Sequence, residues 1–574
     1  MEFSEYEVSG IGGVGDLAMS YYFTMLDREA LVAPLLLNYD NNPEEAVLVF
    51  RRAIDAGASN HPDVLVVFAL HLLAVSNWEE AEAVLRRALA MAPQSILALY
   101  NLGYLMHIQK QDAQAERLFR QVLALEPEHV GAMINLANTL QRLMQRAPAQ
   151  ELIRRAQAIE PDNDLPAAFE LFEATYDISS TDAIIFAKAK QAADLRCKGL
   201  QMPKQMPMAR PWHQGERPLH VGFVSGDFKS HPVGFFLQDW LPYVERSRLM
   251  LHAFSMQEID DVVAQKLRLQ FETWHDISVM RDDEVRQCIV QLGVDVLVDL
   301  SGHTDMNRLP LFAARAAPIQ ISWLGWYATT GVVNMDYFLT DRISSPESSA
   351  AHYSERLLYL PDTRLCLCQP IFASGVSPLP AVKNKHMTFG SFQALLKMTD
   401  ATLNLWRQVL MQIPTAQLQI RCTQFAQSEK VLLFKQRLEE MGLPLARIEL
   451  LAPISYAAYL ESHQSIDLIL DTMPFTGGTT TAEALWMGVP TLTLSGNTLI
   501  ARQGASLLTA AGLGDWAVHS AEAYVAKAHY WSEHVQELAT LRASLRGKVR
   551  TSPLFDAPRF AHVFTEAIEA AARS

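Results

Sequence analysis

A run of glycines and threonines near residue 480 contains the residue types that bind anions. The run, Phe-Thr-Gly-Gly-Thr-Thr-Thr-Ala-Glu-Ala-Leu-Trp-Met-Gly over residues 475–488, follows an apolar segment at 466–470 that is typical of a buried strand. Two glycines permit a tight turn with exposed backbone N–H groups, and three threonines can cap the next helix and offer hydroxyls. These residues are Gly477, Gly478, Thr479, Thr480 and Thr481. Because N–H groups and the helix dipole both attract negative charge, the run predicts a phosphate site.

One acidic residue lies a turn inside the predicted helix. A carboxylate at Glu483, on the side of the cleft, can accept hydrogen bonds from ribose hydroxyls, so the run also indicates a nucleotide. The alternative is an ordinary capped helix in which Glu483 complements the helix dipole. Capping needs one threonine rather than three after two glycines, and we therefore favour the nucleotide site.

Two series of apolar runs form the elements that must position this site. The first series predicts strands at 219–224, 250–255, 294–300, 319–324 and 337–340, and the second at 387–392, 418–421, 448–451, 466–470 and 490–494. Helical patterns lie between several of these runs, and strands that alternate with helices imply doubly wound, mostly parallel sheets. Two such domains in tandem form a cleft at the carboxyl ends of their sheets, where ligands bind.

A different pattern fills the first third of the chain. Pro93, Pro127 and Pro161 are spaced 34 residues apart, a period typical of stacked helix pairs. Within each period, small residues stand at the eighth and twentieth positions and large apolar residues at the seventh and twenty-fourth. The unit that starts at residue 96 shows this with Leu102, Gly103, Ala115 and Phe119. Small residues let two helices approach closely, so the pattern predicts a tetratricopeptide α-solenoid.

Composition narrows the class of protein. With 574 residues the chain is too long for one core, and 49% apolar with 19% charged residues suits a globular protein. A formal net charge of −15 argues against non-specific nucleic-acid binding. The five cysteines are scattered without a Cys-x-x-Cys pair, so neither a disulfide framework nor a zinc site is indicated. The acidic start and the lack of a long apolar run predict a cytoplasmic protein without membrane insertion.

Several ordered motifs resemble the O-GlcNAc transferase family, which includes the animal enzyme, plant SPINDLY and bacterial relatives. The motifs are the run from Thr479 to Pro490, Val-Ser-Gly-Asp-Phe-Lys-Ser-His-Pro-Val-Gly at 224–234, and Phe-Gly-Ser-Phe-Gln-Ala-Leu-Leu-Lys at 389–397, with shorter matches at 317–325, 335–337 and 353–355. The bacterial and SPINDLY branches are the closer match, since the animal enzyme has aspartate at the position of Glu483. The resemblance covers nearly the whole chain and implies a tetratricopeptide array joined to a GT-B fold of two Rossmann-like domains.

The resemblance also implies roles for residues at matching positions. Lys397 corresponds to the lysine that contacts the donor diphosphate, and His231 to a histidine near the sugar and phosphates, so both are candidates for catalysis. The donor-binding candidates are Gln393, His303, Arg502, Thr479, Thr480, Thr481 and Glu483. Arg502 could equally brace its own loop. Asn101 and Asn135, at the sixth position of consecutive repeats, are candidates for a short asparagine ladder that grips an acceptor peptide.

Some positions depart from the family. Relatives usually carry two asparagines where this chain has Gln393-Ala394, and the residues that bind uracil in the animal enzyme align with Tyr456, Tyr459 and Ser462. The donor base is therefore left open. We expect inverting, metal-independent transfer of N-acetylglucosamine from UDP-GlcNAc to serine or threonine hydroxyls of proteins. The alternatives are fucose transfer from GDP-fucose, glucose transfer from UDP-glucose to asparagine, and a non-catalytic tetratricopeptide scaffold.

The expected organisation has five parts. They are an N-terminal helical region with a partial repeat at 1–58, tetratricopeptide repeats at 59–196, a proline-rich linker at 197–217, a first Rossmann-like domain at 218–375, and a second, nucleotide-sugar-binding domain with a returning C-terminal helix at 376–574. Beyond the nucleotide sugar and a protein acceptor, no cofactor is expected.

Overall fold

The computed structural model describes residues 43–55, 61–200, 215–257, 259–367 and 372–573, with a few isolated positions between these ranges. Parts of the predicted N-terminal region and of the predicted linker therefore lie outside the described residues. The chain divides into two compact units, of which the first ends at Glu170 and the second begins at Leu171. No helix among the described residues is both long and apolar enough to cross a membrane.

Antiparallel helix pairs build the first unit. Its described helices are α1 (Pro43–Asp55), α2 (Pro62–Ala74), α3 (Trp78–Met91), α4 (Ile96–Ile108), α5 (Asp112–Leu125), α6 (Val130–Arg142) and α7 (Arg146–Ile159); α8 (Asp164–Ala174) crosses into the second unit. The three periodic prolines follow the ends of α3, α5 and α7, where a proline cannot continue a helix. The predicted helical array is confirmed.

Small residues set the spacing between paired helices. A Cβ atom added at Gly103 would lie 2.9 Å from a ring carbon of Phe119, so α4 and α5 approach too closely there for a larger residue. Ala115 and Phe119 are fully buried in the same apolar core. The small residues of the repeat therefore allow the helices to approach closely, and its large apolar residues fill the space between them.

A seven-stranded parallel sheet forms the first half of the second unit within the described residues. The strand order is β3-β2-β1-β4-β5-β6-β7. The strands are β1 (Leu219–Ser225), β2 (Leu249–Ser255), β3 (Thr273–Asp276), β4 (Val296–Asp299), β5 (Ile319–Ser322), β6 (Tyr337–Asp341) and β7 (Arg356–Leu360). The accompanying helices are α9 (Asp182–Arg196), α10 (Pro232–Gln238), α11 (Val262–Arg268), α12 (Asp282–Gln291) and α13 (Leu309–Ala313).

A separate six-stranded parallel sheet follows, in the order β10-β9-β8-β11-β12-β13. Its strands are β8 (Thr388–Ser391), β9 (Gln417–Arg421), β10 (Ile448–Leu451), β11 (Leu468–Leu470), β12 (Thr491–Leu494) and β13 (Ala517–Val518). Its helices are α14 (Pro380–Asn384), α15 (Asp400–Gln412), α16 (Ser428–Glu440), α17 (Tyr456–Ser462), α18 (Thr479–Trp486), α19 (Leu499–Ala510), α20 (Ala521–Glu533) and α21 (Val535–Arg550). Two separate sheets confirm the predicted pair of Rossmann-like domains.

The last helix, α22 (Ala557–Arg573), returns to the first sheet. Phe560 and Phe564 pack against Trp240, with ring centroids 5.3 and 4.7 Å away. Arg248 donates two hydrogen bonds of 2.9 Å to the buried carboxylate of Glu569. Aromatic packing and a bidentate ion pair therefore hold the C-terminal helix against the first sheet.

Candidate functional site

A cavity of about 170 Å³ lies at the carboxyl ends of the strands of the second sheet. On one side it is lined by α10 and by the segments that follow β5 and β7 of the first sheet. On the other side it is lined by the ends of β8, β9, β10 and β11 and by the starts of α18 and α19. Its place agrees with the rule that open α/β sheets bind ligands beyond their strand ends.

The glycine-threonine run forms one end of this cavity. Helix α18 begins at Thr479, and its N-cap residue is Gly478, which makes no side-chain capping bond. The predicted threonine cap is therefore wrong, because the three threonines occupy the first turn of the helix. Gln393 donates a 2.8 Å hydrogen bond to the Thr480 hydroxyl, while the buried Thr481 hydroxyl has no hydrogen-bond partner among the described residues.

Gly477 allows the polar side chains at this end to pack closely against the backbone. A Cβ atom at Gly477 would overlap the Thr481 hydroxyl and the Gln393 side-chain nitrogen. The N–H groups at the start of α18, the hydroxyls of Thr480 and Thr481 and the Gln393 amide thus converge beside Gly477, where a larger residue would displace them. This arrangement of donors suits a phosphate group.

Lys397 supplies a cation beside these donors. It ends a single 3-10 turn after β8, and its Nζ lies 4.2 Å from the centroid of the Phe475 ring and 3.4 Å from Gln393 Oε1. Burial lowers the pKa of Lys397 to about 8, against the opposing effect of the Asp471 charge. The ammonium is therefore poorly solvated, and an anionic ligand would stabilise its charged form.

A buried carboxylate organises the loop that carries Phe475. Asp471 accepts hydrogen bonds of 2.9 Å from the backbone N–H groups of Thr472 and Gly477, and one of 2.7 Å from the Thr493 hydroxyl. Burial raises the pKa of Asp471, although these hydrogen bonds and the Lys397 charge act in the opposite direction. Asp471 thus fixes the turn that leads into α18.

Glu483 does not line the cavity. It is 3% exposed, and its carboxylate accepts hydrogen bonds of 2.7 Å from the Tyr456 phenol and 3.0 Å from the Tyr459 phenol. Burial raises the pKa of Glu483 to about 7, although both phenols favour the ionised form. Tyr459, rather than Glu483, lines the cavity. This differs from the expected orientation, and direct contact between Glu483 and a ribose stays a prediction.

His231 is the N-cap residue of α10. Its Nδ1 accepts a 3.3 Å hydrogen bond from the backbone N–H of Val233 and lies 3.5 Å from Asp227. Burial lowers the pKa of His231, so the neutral ring is favoured. Its neighbours Pro232 and Val233 line the cavity, whereas His231 itself does not. The ring therefore positions a wall of the cavity, and a catalytic role stays a prediction.

The other two donor-binding candidates make structural contacts. His303 Nε2 donates a 2.6 Å hydrogen bond to the Thr330 carbonyl oxygen, and burial lowers its pKa to about 4. Arg502 donates to the Ser344 carbonyl oxygen at 3.0 Å and forms a 2.9 Å ion pair with Asp182. Arg502 thus braces α19 against α9 rather than its own loop, and a role in donor binding stays a prediction for both residues.

The asparagines of the predicted ladder are both buried in the first unit, with exposures of 2% for Asn101 and 4% for Asn135. Asn101 donates a 2.8 Å hydrogen bond to the Leu97 carbonyl oxygen of its own helix, and Asn135 donates a 3.0 Å bond to the Tyr100 phenol. Because their amides point into these contacts, the structure does not place them on an open groove. Their role in acceptor binding stays a prediction.

Sequence reasoning missed other residues that line the cavity. Phe392, Arg421, Tyr327 and Gln503 all contribute to its walls. Arg421 is the last residue of a correctly predicted strand, so its position at a strand end was the available signal. Within the described part of the chain, no three His, Cys, Asp or Glu side chains are grouped so that they could hold a metal ion.

Comparisons with known proteins place the chain in a glycosyltransferase family. The family model "Glycosyl transferase family 41" matches residues 162–367 and 379–564, and a tetratricopeptide repeat model matches residues 107–182. The chain is 34% identical over 386 residues to a rice protein named as a probable UDP-N-acetylglucosamine–peptide N-acetylglucosaminyltransferase, SPINDLY, covering 66% of this chain and 41% of that protein. It is 33% identical over 351 residues to the Arabidopsis thaliana protein of the same name, covering 60% of this chain and 38% of that protein.

A solved structure is similar over most of the chain. A mutant of the Thermobaculum terrenum O-GlcNAc transferase has a TM-score of 0.82 and 29% identity, and the match covers 89% of this chain and 97% of that one. The present chain spans about two fifths of the length of the plant relatives. The predicted resemblance to O-GlcNAc transferase and SPINDLY proteins is confirmed.

Proposed function

Since the chain belongs to glycosyl transferase family 41, we propose that it transfers a sugar from a nucleotide donor to protein side chains. The observation that carries the proposal is the group of donors at one end of the cavity, where the start of α18, the Thr480 hydroxyl, the Gln393 amide and the Lys397 ammonium converge. A nucleoside diphosphate supplies the negative charge that this group needs.

The reaction breaks the bond between the anomeric carbon and the diphosphate oxygen, which leaves with the bonding electron pair. The acceptor oxygen attacks from the opposite face, forms the new bond with inversion and releases its proton to solvent. Lys397 and the N–H groups of α18 stabilise the negative charge that develops on the leaving diphosphate. This charge is larger in the transition state than in the bound donor, so these groups favour the transition state. These groups perform the task that a divalent cation serves in other transferases, and the proposed transfer is metal-independent.

We propose UDP-GlcNAc as the donor and serine or threonine hydroxyls as the acceptors, because the named plant relatives are probable UDP-N-acetylglucosamine–peptide transferases. The helical array of the first unit supports a protein acceptor, since stacked helix pairs offer extended surfaces for peptides. Binding energy gained there, remote from the chemistry, can be used to orient the acceptor hydroxyl.

The test is transfer by the full chain. Purified protein is incubated with an acceptor protein mixture and, in parallel reactions, UDP-GlcNAc, GDP-fucose or UDP-glucose, and modified peptides are identified by mass spectrometry. The proposal expects N-acetylhexosamine on serine or threonine with UDP-GlcNAc, and none with Lys397→Met. Fucose on serine or threonine would show that the donor is GDP-fucose, and glucose on asparagine would show that both the donor and the acceptor differ from those proposed. No modification with any of the three donors would indicate a non-catalytic scaffold.

A further inference from the structure

Arg421 lies at the end of the cavity opposite the proposed diphosphate site. The strand order places β8 beside β11 and β9 beside β8, so the end of β9 lies two strand spacings, or about 10 Å, from the end of β11. Arg421, Cys422 and Thr423 line the cavity after β9, and Pro453 and Ile454 line it after β10. A nucleoside whose phosphates lie at α18 would extend toward this end.

Aromatic rings form the walls between the two ends. Phe392 and Tyr459 both line the cavity, and their ring centroids are 5.7 Å apart in an edge-to-face arrangement. The Tyr459 hydroxyl is held by Glu483 at 3.0 Å, which fixes the orientation of this ring. Flat apolar walls of this kind suit a planar base, since stacking on aromatic side chains stabilises any base.

The guanidinium of Arg421 has N–H donors that make no hydrogen bond among the described residues. Its Nη1 donates a hydrogen bond to the Ala452 carbonyl oxygen, which orients the group, and its buried Nε has no hydrogen-bond partner among the described residues. Arg421 also forms no ion pair within 4 Å in the part of the chain that the structure describes. Glu449 acts on it only as a more distant charge. An arginine carries five N–H donors and no acceptor, so it pairs with acceptor atoms alone.

We infer that Arg421 selects the donor base by donating hydrogen bonds to a ring carbonyl oxygen. The inference rests on the proposed function, because it needs a nucleotide in this cavity. Uracil and guanine carry a carbonyl oxygen at the ring position where cytosine and adenine carry an amino group. A guanidinium attracts the first and repels the second, so the site favours oxo bases over amino bases of the same ring size.

The experiment measures the dissociation constants of UDP, CDP, GDP and ADP by isothermal titration calorimetry with the full chain. UDP is compared with CDP and GDP with ADP, because each pair keeps the ring size and changes the group that Arg421 faces. We expect the oxo member of at least one pair to bind about ten-fold more tightly or better. The pair that shows this preference also tells whether the base is uracil or guanine.

Two variants and one control test the residue. Arg421→Met removes all donors, and Arg421→Lys keeps the charge but loses the planar group of donors. Both are expected to lose the preference while binding the amino nucleotide as before. Arg550→Met removes an exposed arginine of the same domain on α21 and is expected to keep the preference.

The outcomes separate this inference from the proposed function. If the parent protein binds nucleoside diphosphates but shows no preference in either pair, the role of Arg421 is overturned and the proposed donor site is retained. Retention of the preference by both variants, or equal weakening of all four nucleotides, would also overturn it. A folded parent that binds none of the four would overturn the proposed function together with this inference.

Discussion

Lys397 should make nucleotide binding sensitive to alkaline pH. Burial holds its pKa at about 8, well below its ordinary value of 10.5, while the diphosphate favours the charged form. Binding therefore takes up a proton above pH 8, and affinity must fall as the pH rises. If nucleotide binding depended instead on an ionised carboxylate, the affinity would fall as the pH is lowered, which is the opposite direction.

The size of the effect follows from the free and bound ionisation states. If the bound diphosphate returns the pKa of Lys397 to its ordinary value, the affinity for UDP falls up to about 30-fold between pH 7 and 9.5. A solvated lysine with a pKa of 10.5 would change the affinity only about 1.1-fold over the same range. Burial raises the pKa values of Tyr456 and Tyr459, so these phenols stay neutral throughout.

The assay is calorimetric titration of UDP at pH values from 7 to 9.5, with circular dichroism to verify the fold. Lys397→Met should bind more weakly at pH 7 and lose most of the slope, because the phosphate groups of UDP have already ionised below pH 7. Lys548→Met, which removes an exposed lysine on α21, should keep the parental slope. A flat parental profile, or a slope that persists in Lys397→Met, would refute the assignment of Lys397 to the diphosphate.

Three further predictions concern the second unit. Gly477→Ala should weaken nucleotide binding at least ten-fold, by titration of a folded variant, because the added methyl overlaps the donors around the anion position. Burial raises the pKa of Glu483 from 4.5 to about 7, so the folded state binds a proton that the unfolded state has lost, and the parent loses stability as the pH rises toward 7. In urea unfolding, the free energy of unfolding of Glu483→Gln should therefore rise by about 3 kcal/mol relative to the parent between pH 4.5 and 8. A difference that stays constant with pH would contradict this. Burial lowers the pKa of His463 from 6.5 to about 4, so the stability that is present above pH 6.5 is lost as the pH falls. Between pH 7 and 5, the free energy of unfolding of His463→Phe should fall by about 2 kcal/mol less than that of the parent. The same pH dependence of stability in variant and parent would count against this.

The fold could be predicted because the central strands are continuous apolar runs. All ten predicted strands are present, and the three that were missed are β3, β7 and β13, each at an edge of its sheet. An edge strand is covered by fewer neighbours and need not be apolar, as the sequence Thr-Trp-His-Asp of β3 illustrates. Apolar periodicity therefore reveals all the interior strands but only one of the four edge strands, β10.

The candidate site was only partly predictable. Lys397, Gln393 and the threonine run come together because β8 and β11 are neighbours, which parallel strand order makes plausible from sequence. The orientation of Glu483 was not predictable, since it depends on two phenols that α17 brings from outside the motif. Likewise, Arg502 lies near the site in sequence but pairs with Asp182, which is 320 residues away.

The charges around the cavity have a common consequence for catalysis. The two nearby carboxylates, at Asp471 and Glu483, both have pKa values raised by burial, and neither pairs directly with Lys397. The Lys397 ammonium contacts an aromatic face and an amide oxygen instead, which are weak partners for a cation. Its strongest available partner is therefore the anion that the substrate brings. In the proposed reaction the negative charge on the leaving diphosphate grows as the glycosidic bond breaks, so a cation with such weak partners would stabilise the transition state more than the bound donor.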